Sequence, residues 1–176
     1  MPRMSALPSP PTWRLFLGLW PPAAVRAEIL QCADAWQWPP SARRTAPERM
    51  HVTLHFLGNV AVERVPALQQ GLAREWAGCT LELDRAEVWP GGIAVLEASQ
   101  VPAALADLHA RLAEALGQLE VAVETRRYRP HVTLARKGQG ARPAGFASIR
   151  WEASPRYALM RSLPGGQGYA PVQAYD

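Results

Sequence analysis

The tetrapeptide His-Val-Thr-Leu occurs twice in this chain, at residues 51–54 and again at 131–134. Of four histidines in 176 residues, His51, His55 and His131 lie in these copies or directly beside them, and only His109 stands apart. Val, Thr, Leu and Phe around the copies favour a strand, and on a strand alternate side chains share a face. His51 and Thr53 then point one way, and Val52 and Leu54 the other. His131 and Thr133 repeat the pattern against Val132 and Leu134. Each copy offers an imidazole and a hydroxyl on one face, anchored by two apolar residues behind. The same polar pair recurring at near half the chain length implies two pseudo-equivalent lobes with a cleft between them.

The remaining segments read as a frame for that cleft. Residues 1–12 read as a flexible tail rich in Pro and Ser, and 13–176 as a single bilobal domain. A short apolar run over 13–20 reads as a buried strand ended by Pro21-Pro22, and an Ala-rich helix follows over 23–36. The first motif strand runs to Gly58. Val65, Leu68, Leu72 and Trp76 mark a helix over 62–76. Segments 79–89 and 93–97 read as two strands joined across Pro90-Gly91-Gly92. Pro102 opens a third helix with Leu105, Leu108, Leu112, Leu116 and Leu119 as its apolar stripe, and His109 falls beside that stripe as a boundary residue. The second motif strand spans 128–136, and about three short strands follow over 148–176. Interleaved helices and strands without a GxGxxG or Walker loop favour an α+β fold. The expected architecture is two pseudo-symmetric lobes of largely antiparallel sheet with flanking helices and an active-site cleft between them.

Composition narrows the setting. Hydrophobic residues at 48% and charged residues at 19% fit a soluble globular chain, and no apolar run approaches the length of a membrane span. The net charge of +4 suits an anionic partner, and the charge is carried almost wholly by arginine, Lys137 being the single lysine. Arg126, Arg127, Arg129, Arg136, Lys137 and Arg142 form a basic run that would serve as a track for RNA phosphates. Cys32 and Cys79 show no CxxC spacing, and the N-terminus has no signal-peptide core, so a cytoplasmic monomer is expected.

Four blocks carry a resemblance. RLFLGLWPP (14–22), PERMHVTLHFLGNV (47–60), RYRPHVTLARK (127–137), and a closing Leu-x-x-Ser at Leu159 followed by Gly168-Tyr169 together resemble the 2H phosphoesterases. Within them the similarity is greatest to the branch of RNA 2′,3′-cyclic phosphodiesterases, also known as 2′-5′ RNA ligases. The resemblance implies a bilobal α+β fold with the two motifs facing across a cleft. It implies hydrolysis of a terminal 2′,3′-cyclic phosphate on RNA to a 2′-phosphate, with no metal and no other cofactor. Position by position, it makes His51 the proton donor, His131 the proton acceptor, Thr53 and Thr133 phosphate-oxygen ligands, and Arg136 an aid to phosphate binding.

The residue types suit that chemistry. Opening a cyclic phosphate with water needs a base for the water proton and an acid for the leaving 3′ oxygen, and imidazoles with a pKa near 6.5 serve as either. Threonine hydroxyls donate to the non-bridging oxygens where charge collects. Joining the cyclic end to an RNA 5′-hydroxyl is the same chemistry with RNA replacing water. Strict alternation places His55 on the face of His51, lining the RNA end of the cleft. On a strand, His51 and His55 lie roughly 13 Å apart, too far for two ligands of one zinc ion. Strict alternation also turns Arg136 away from His131, so it reaches the site only where the strand bulges, twists or ends. Phe56 holds the equivalent place after the first motif and reads as core. Two rivals remain open: a phosphodiesterase for small cyclic nucleotides, and a non-catalytic RNA-end binding module.

Overall fold

The computed structural model describes residues 10–176, so most of the expected tail lies outside the described residues. Pairing already begins at Thr12, where strand β1 (Thr12–Leu19) starts. Pro21 and Pro22 have no N–H to continue a ladder, and Pro22 (φ −64°) leads into helix α1 (Ala23–Asp34). The helix buries Val25, Ile29, Cys32 and Ala33 along one stripe. It ends two residues earlier than expected, because the Trp38 indole N–H donates to the Ala33 carbonyl at 2.8 Å and Trp36 turns to stack on Trp38. A bond of that kind satisfies a carbonyl that the last helical turn leaves open.

The chain continues through β2 (Arg43–Arg44) and β3 (Val52–Ala61) to α2 (Val65–Gly71). The expected helix over 62–76 is thus cut at both ends. Val62–Arg64 forms a 3-10 turn, and beyond Gly71 the backbone is claimed by Tyr157, whose hydroxyl donates to the Leu72 carbonyl and accepts from the Arg74 amide. Next come β4 (Cys79–Leu83), β5 (Arg85–Trp89), β6 (Ile93–Glu97) and α3 (Ala103–Gln118). The expected single strand over 79–89 breaks at Asp84, whose carboxylate accepts from the Ser99 amide and hydroxyl. The break sends β4 to one sheet and β5 to another. The last strands are β7 (His131–Arg136), β8 (Ile149–Ala153), β9 (Tyr157–Ser162) and β10 (Tyr169–Tyr175).

The main sheet runs β10-β9-β1-β3-β7-β6-β5, with β2 attached to β7, while β4 and β8 form a separate ribbon. Every pairing is antiparallel. The two halves share a plan. In one, β1 leads through α1 back to β3; in the other, β6 leads through α3 back to β7. Leu19 pairs with Val52 in the first half, and Leu96 with Val132 in the second. At the seam β3 and β7 pair at a single position, Val52 opposite Val132, and β2 adds Arg43 opposite Arg136 and Arg44 opposite Ala135. Leu105, Leu108, Leu112 and Leu116 of α3 are fully buried, and α3 packs on the face of β3 that carries Val52 and Leu54. The expected α+β fold of antiparallel halves with flanking helices is the one found.

Candidate active site

The seam between the halves creates the site. Opposite residues in an antiparallel pair share a face. With Val52 facing Val132, one step along each strand sets His51 beside Thr133 and Thr53 beside His131. The four polar side chains therefore share one face in a diagonal square, each half-buried, while both valines are completely buried behind them. The structure brings His51, Thr53, His131 and Thr133 together as the repeat implied.

Both histidines are held by the same bond. His51 Nδ1–H donates to the Arg49 carbonyl at 2.7 Å, and His131 Nδ1–H donates to the Arg129 carbonyl at 2.7 Å. A carbonyl only accepts, so this geometry assigns the proton of the neutral ring to Nδ1 and leaves Nε2 as the reactive nitrogen. His51 Nε2 accepts from the Thr53 hydroxyl at 3.1 Å. Burial pushes both imidazoles below their usual pKa, chiefly by desolvating the charged ring. The backbone bond to each ring acts against that shift, and the charge of His131 adds to it at His51.

The walls around the two rings differ. His51 sits among aromatics: Trp20 stacks on it at 5.0 Å, Phe16 lies 5.0 Å away, and Tyr169 meets it edge-on at 5.3 Å. Around His131 the wall is charged. Glu97, only 4% exposed, lies directly opposite it in register. Arg129 grips both oxygens of Glu97, at 2.7 and 2.6 Å, and contacts Glu87 at 3.4 Å. Its guanidinium lies 4.4 Å over the Trp89 ring, which is itself 4.4 Å from His131. Glu97 raises the proton affinity of His131, whereas Arg129 and Arg136 lower it.

Each motif contains a bulge at its leucine. On β1, Gly18 faces Thr53 and Leu17 faces His55, leaving Leu54 unpaired; on β6, Val95 faces Thr133 and Ala94 faces Ala135, leaving Leu134 unpaired. An extra residue flips the alternation beyond it. Arg136 therefore returns to the face of His131, exposed and near enough for its charge to act there. Two expectations fail for the same reason. His55 does not line the cleft: it turns to the back of the sheet, 3% exposed, and its Nε2–H donates to the His109 carbonyl at 2.9 Å. Phe56 is not core: it is 57% exposed on the cleft side, 6.1 Å from Phe16.

Behind the site, His109 is sandwiched between His55 and Tyr128, each ring 4.0 Å away. Burial and the neighbouring His55 push the His109 pKa down to about 4. The expected basic track is divided, because Arg129 is bound to Glu97 and Arg126 to Glu124.

The sequence reading missed Arg49, Arg129, Glu97, Trp20, Trp89 and Tyr169 as parts of the site. A signal existed for the first two, since both copies extend to Arg-x-His-Val-Thr-Leu. Among the described residues, no three His, Cys, Asp or Glu side chains converge as a metal cage, and no helix is long and apolar enough to cross a membrane.

Known proteins share this fold and much of this sequence. The RNA 2′,3′-cyclic phosphodiesterase of Escherichia coli (strain K12) is 35% identical over 169 residues, covering 92% of this chain and 95% of that protein. The crystal structure of E. coli LigT complexed with 3′-AMP superposes with a TM-score of 0.78 at 28% identity, covering 93% of this chain and 97% of that one. A crystal structure described as a phosphoesterase gives a TM-score of 0.80 at 29% identity, with 93% and 97% covered. The family model of the 2′-5′ RNA ligase superfamily matches residues 21–158. The chain thus belongs to the 2′-5′ RNA ligase superfamily of 2H phosphoesterases.

Proposed function

We propose that this protein hydrolyses the terminal 2′,3′-cyclic phosphate of RNA to a 2′-phosphate, using His131 as the base and His51 as the acid. The observation that carries this reading is the pair of identically anchored imidazoles, each offering Nε2 to one face across the Val52–Val132 seam. In the forward step, His131 Nε2 takes a proton from water as the water oxygen bonds to phosphorus. The P–O3′ bond breaks, and His51 Nε2–H delivers its proton to O3′. The products are a 2′-phosphate and a free 3′-hydroxyl. Thr53 and Thr133 donate to the non-bridging oxygens as charge builds there. Once His51 is protonated, its Nε2–H donates to the Thr53 oxygen, which frees the Thr53 O–H for the phosphate. Arg136, returned to this face by the bulge, supplies a positive charge near the same phosphate. An RNA 5′-hydroxyl in place of water turns the same step into 2′-5′ ligation.

The chemistry assigned to these side chains involves no metal and no other cofactor. Cys32 and Cys79 are free thiols, which suits a reducing compartment; we place the enzyme in the cytoplasm as a monomer.

The test is an RNA oligonucleotide ending in a 2′,3′-cyclic phosphate, incubated in EDTA with wild type, His51→Ala and His131→Ala. Wild type is expected to yield the 2′-phosphate. Each variant is expected to lose roughly 10²–10⁴-fold in kcat. Turnover that survives both substitutions would overturn the two-histidine mechanism, and no turnover by wild type would overturn the activity and favour an RNA-end binding module.

A further inference from the structure

The cleft face continues outward along β1. Gly18 lies beneath His51: a Cβ there would come within 3.3 Å of the imidazole. Phe16, two residues back, sits 5.0 Å from the same ring. Arg14, two further back, pairs in register with Asn59 on one side and Ser162 on the other. From Gly18 to Arg14 the strand covers roughly 13 Å. There the surface opens into a groove of about 390 Å³, lined by Arg14, Arg161, Asn59, Ser162 and the Gly165-Gly166 turn, with no acidic side chain in its wall. Neither Arg14 nor Arg161 has a carboxylate partner among the described residues; Arg161, paired opposite Leu15, leaves β9 on the other face from Arg14, and its guanidinium lies over the Trp13 ring at 4.5 Å at the groove's rim.

The surface between His51 and this groove is aromatic. Phe56 is the single large hydrophobic residue exposed among those described, and Phe16 links it to Tyr169 at 4.8 Å. Stacking rings followed by unneutralised guanidinium groups form the surface that single-stranded nucleic acid prefers, since every base has a π-face and every linkage a charge. The basic run near the second motif offers less, because two of its arginines are already in ion pairs.

We infer that the Arg14–Arg161 groove binds a phosphate of the RNA strand upstream of the cyclic end, with the intervening nucleotide crossing the Phe56–Tyr169 surface. This rests on the phosphodiesterase reading and deepens it: the substrate is an oligonucleotide, and its body lies over the first half of the molecule. A cyclic mononucleotide fills only the seam. Arg14 and Arg161 are distant binding residues and touch no reacting atom.

The experiment compares a 2′,3′-cyclic mononucleotide with a hexanucleotide ending in the same cyclic phosphate. Wild type, Arg14→Lys, Arg14→Gln and the Arg14→Gln/Arg161→Gln double variant are assayed over a range of salt. Wild type is expected to show a lower KM for the hexanucleotide, with an advantage that fades as salt rises. In the double variant that advantage should shrink on the order of tenfold, as expected for losing charge-assisted phosphate contacts. Arg14→Lys should keep most of it. Turnover of both substrates with no length advantage in wild type, or an advantage that survives the double substitution, would overturn the groove while leaving the phosphodiesterase reading intact. Turnover of neither substrate by wild type would overturn both.

Discussion

The first and second motifs use one backbone device in two different electrostatic settings. Each places a histidine two residues after an arginine whose carbonyl holds Nδ1, and each bulges at its leucine. That device makes both imidazoles competent for proton transfer but gives neither a direction. The walls supply the difference. Where His51 has Trp20, the second half has Glu97; where the first half ends in Phe56, the second ends in Arg136. Arg129 is neutralised by Glu97 and Glu87, whereas Arg49 lies against Gly168 with no carboxylate partner among the described residues. A carboxylate near an imidazole stabilises its protonated form. His131 is thereby the better acceptor, and His51, in a wall without negative charge, the readier donor. The repeated motif accounts for the two groups, and the difference in their surroundings for the order in which they act.

The largest expected effect separates the two roles directly. A substrate with sulfur in place of the 3′ bridging oxygen leaves as a thiolate, and with a thiol pKa near 8.5 it needs little help from an acid. On this substrate the His51→Ala defect should shrink to within about tenfold, while His131→Ala should keep its full loss of roughly 10²–10⁴. Rescue of His131→Ala instead would reverse the two roles.

The next effect tests the charged wall. His131 must be neutral and His51 protonated for the forward step. Activity therefore falls at low pH as His131 gains a proton, and at high pH as His51 loses one. Burial holds both below 6.5, so the bell in kcat/KM should peak below pH 6.5, with limbs that belong to the coupled pair. The groups acting on His131 are Glu97, Arg129 with its partner Glu87, Arg136, and His51 across the seam. Glu97→Gln should lower the His131 pKa and Arg129→Met should raise it, each reducing kcat on the order of tenfold, the equivalent of about one pKa unit. With four histidines in the chain, the imidazole Cε1–H signals can be followed one by one by NMR. Equal shifts in both variants, or none, would reduce the Glu97–Arg129 pair to packing.

The sequence carried the diagonal square because period-two alternation holds over the first three letters of each motif. It fails at the fourth. Leucine suits a regular strand and a bulge equally, so nothing in Leu54 or Leu134 announces the extra residue. One unrecognised bulge exchanged the faces of His55 and Phe56, sending a histidine into the core and a phenylalanine into the cleft. Family likeness, and not periodicity, pointed Arg136 to the face of His131, where the bulge returns it. Glu97 and Trp20 were invisible because they come from neighbouring strands, and only pairing register places them beside the histidines. Arg49 and Arg129 left a readable Arg-x-His repeat, but they hold the rings through backbone carbonyls, a service any residue type supplies.

The smallest effect concerns what aligns the two halves. β3 and β7 touch at one residue pair, so the diagonal square depends on further ties across the seam. Tyr128, three residues before His131, supplies one: its hydroxyl donates to the Thr53 carbonyl at 3.1 Å, while its ring caps the stack formed with His109 and His55. Tyr128→Phe keeps the ring and removes the bond. The loss of one such bond costs about 1 kcal/mol, which for a chain of this size lowers Tm by roughly 2–4 °C. If the bond only joins the halves, kcat measured well below the melting range should stay at the wild-type value. If it also sets the distance between the motifs, kcat should fall several-fold with KM nearly unchanged, because the histidines and threonines remain but their spacing relaxes. We expect the second outcome, since Thr53 lies between the bond and His51 and any drift of its carbonyl moves the hydroxyl on which His51 Nε2 depends. Unaltered Tm and kcat together would show that the Val52–Val132 pair and the packing behind it hold the square unaided.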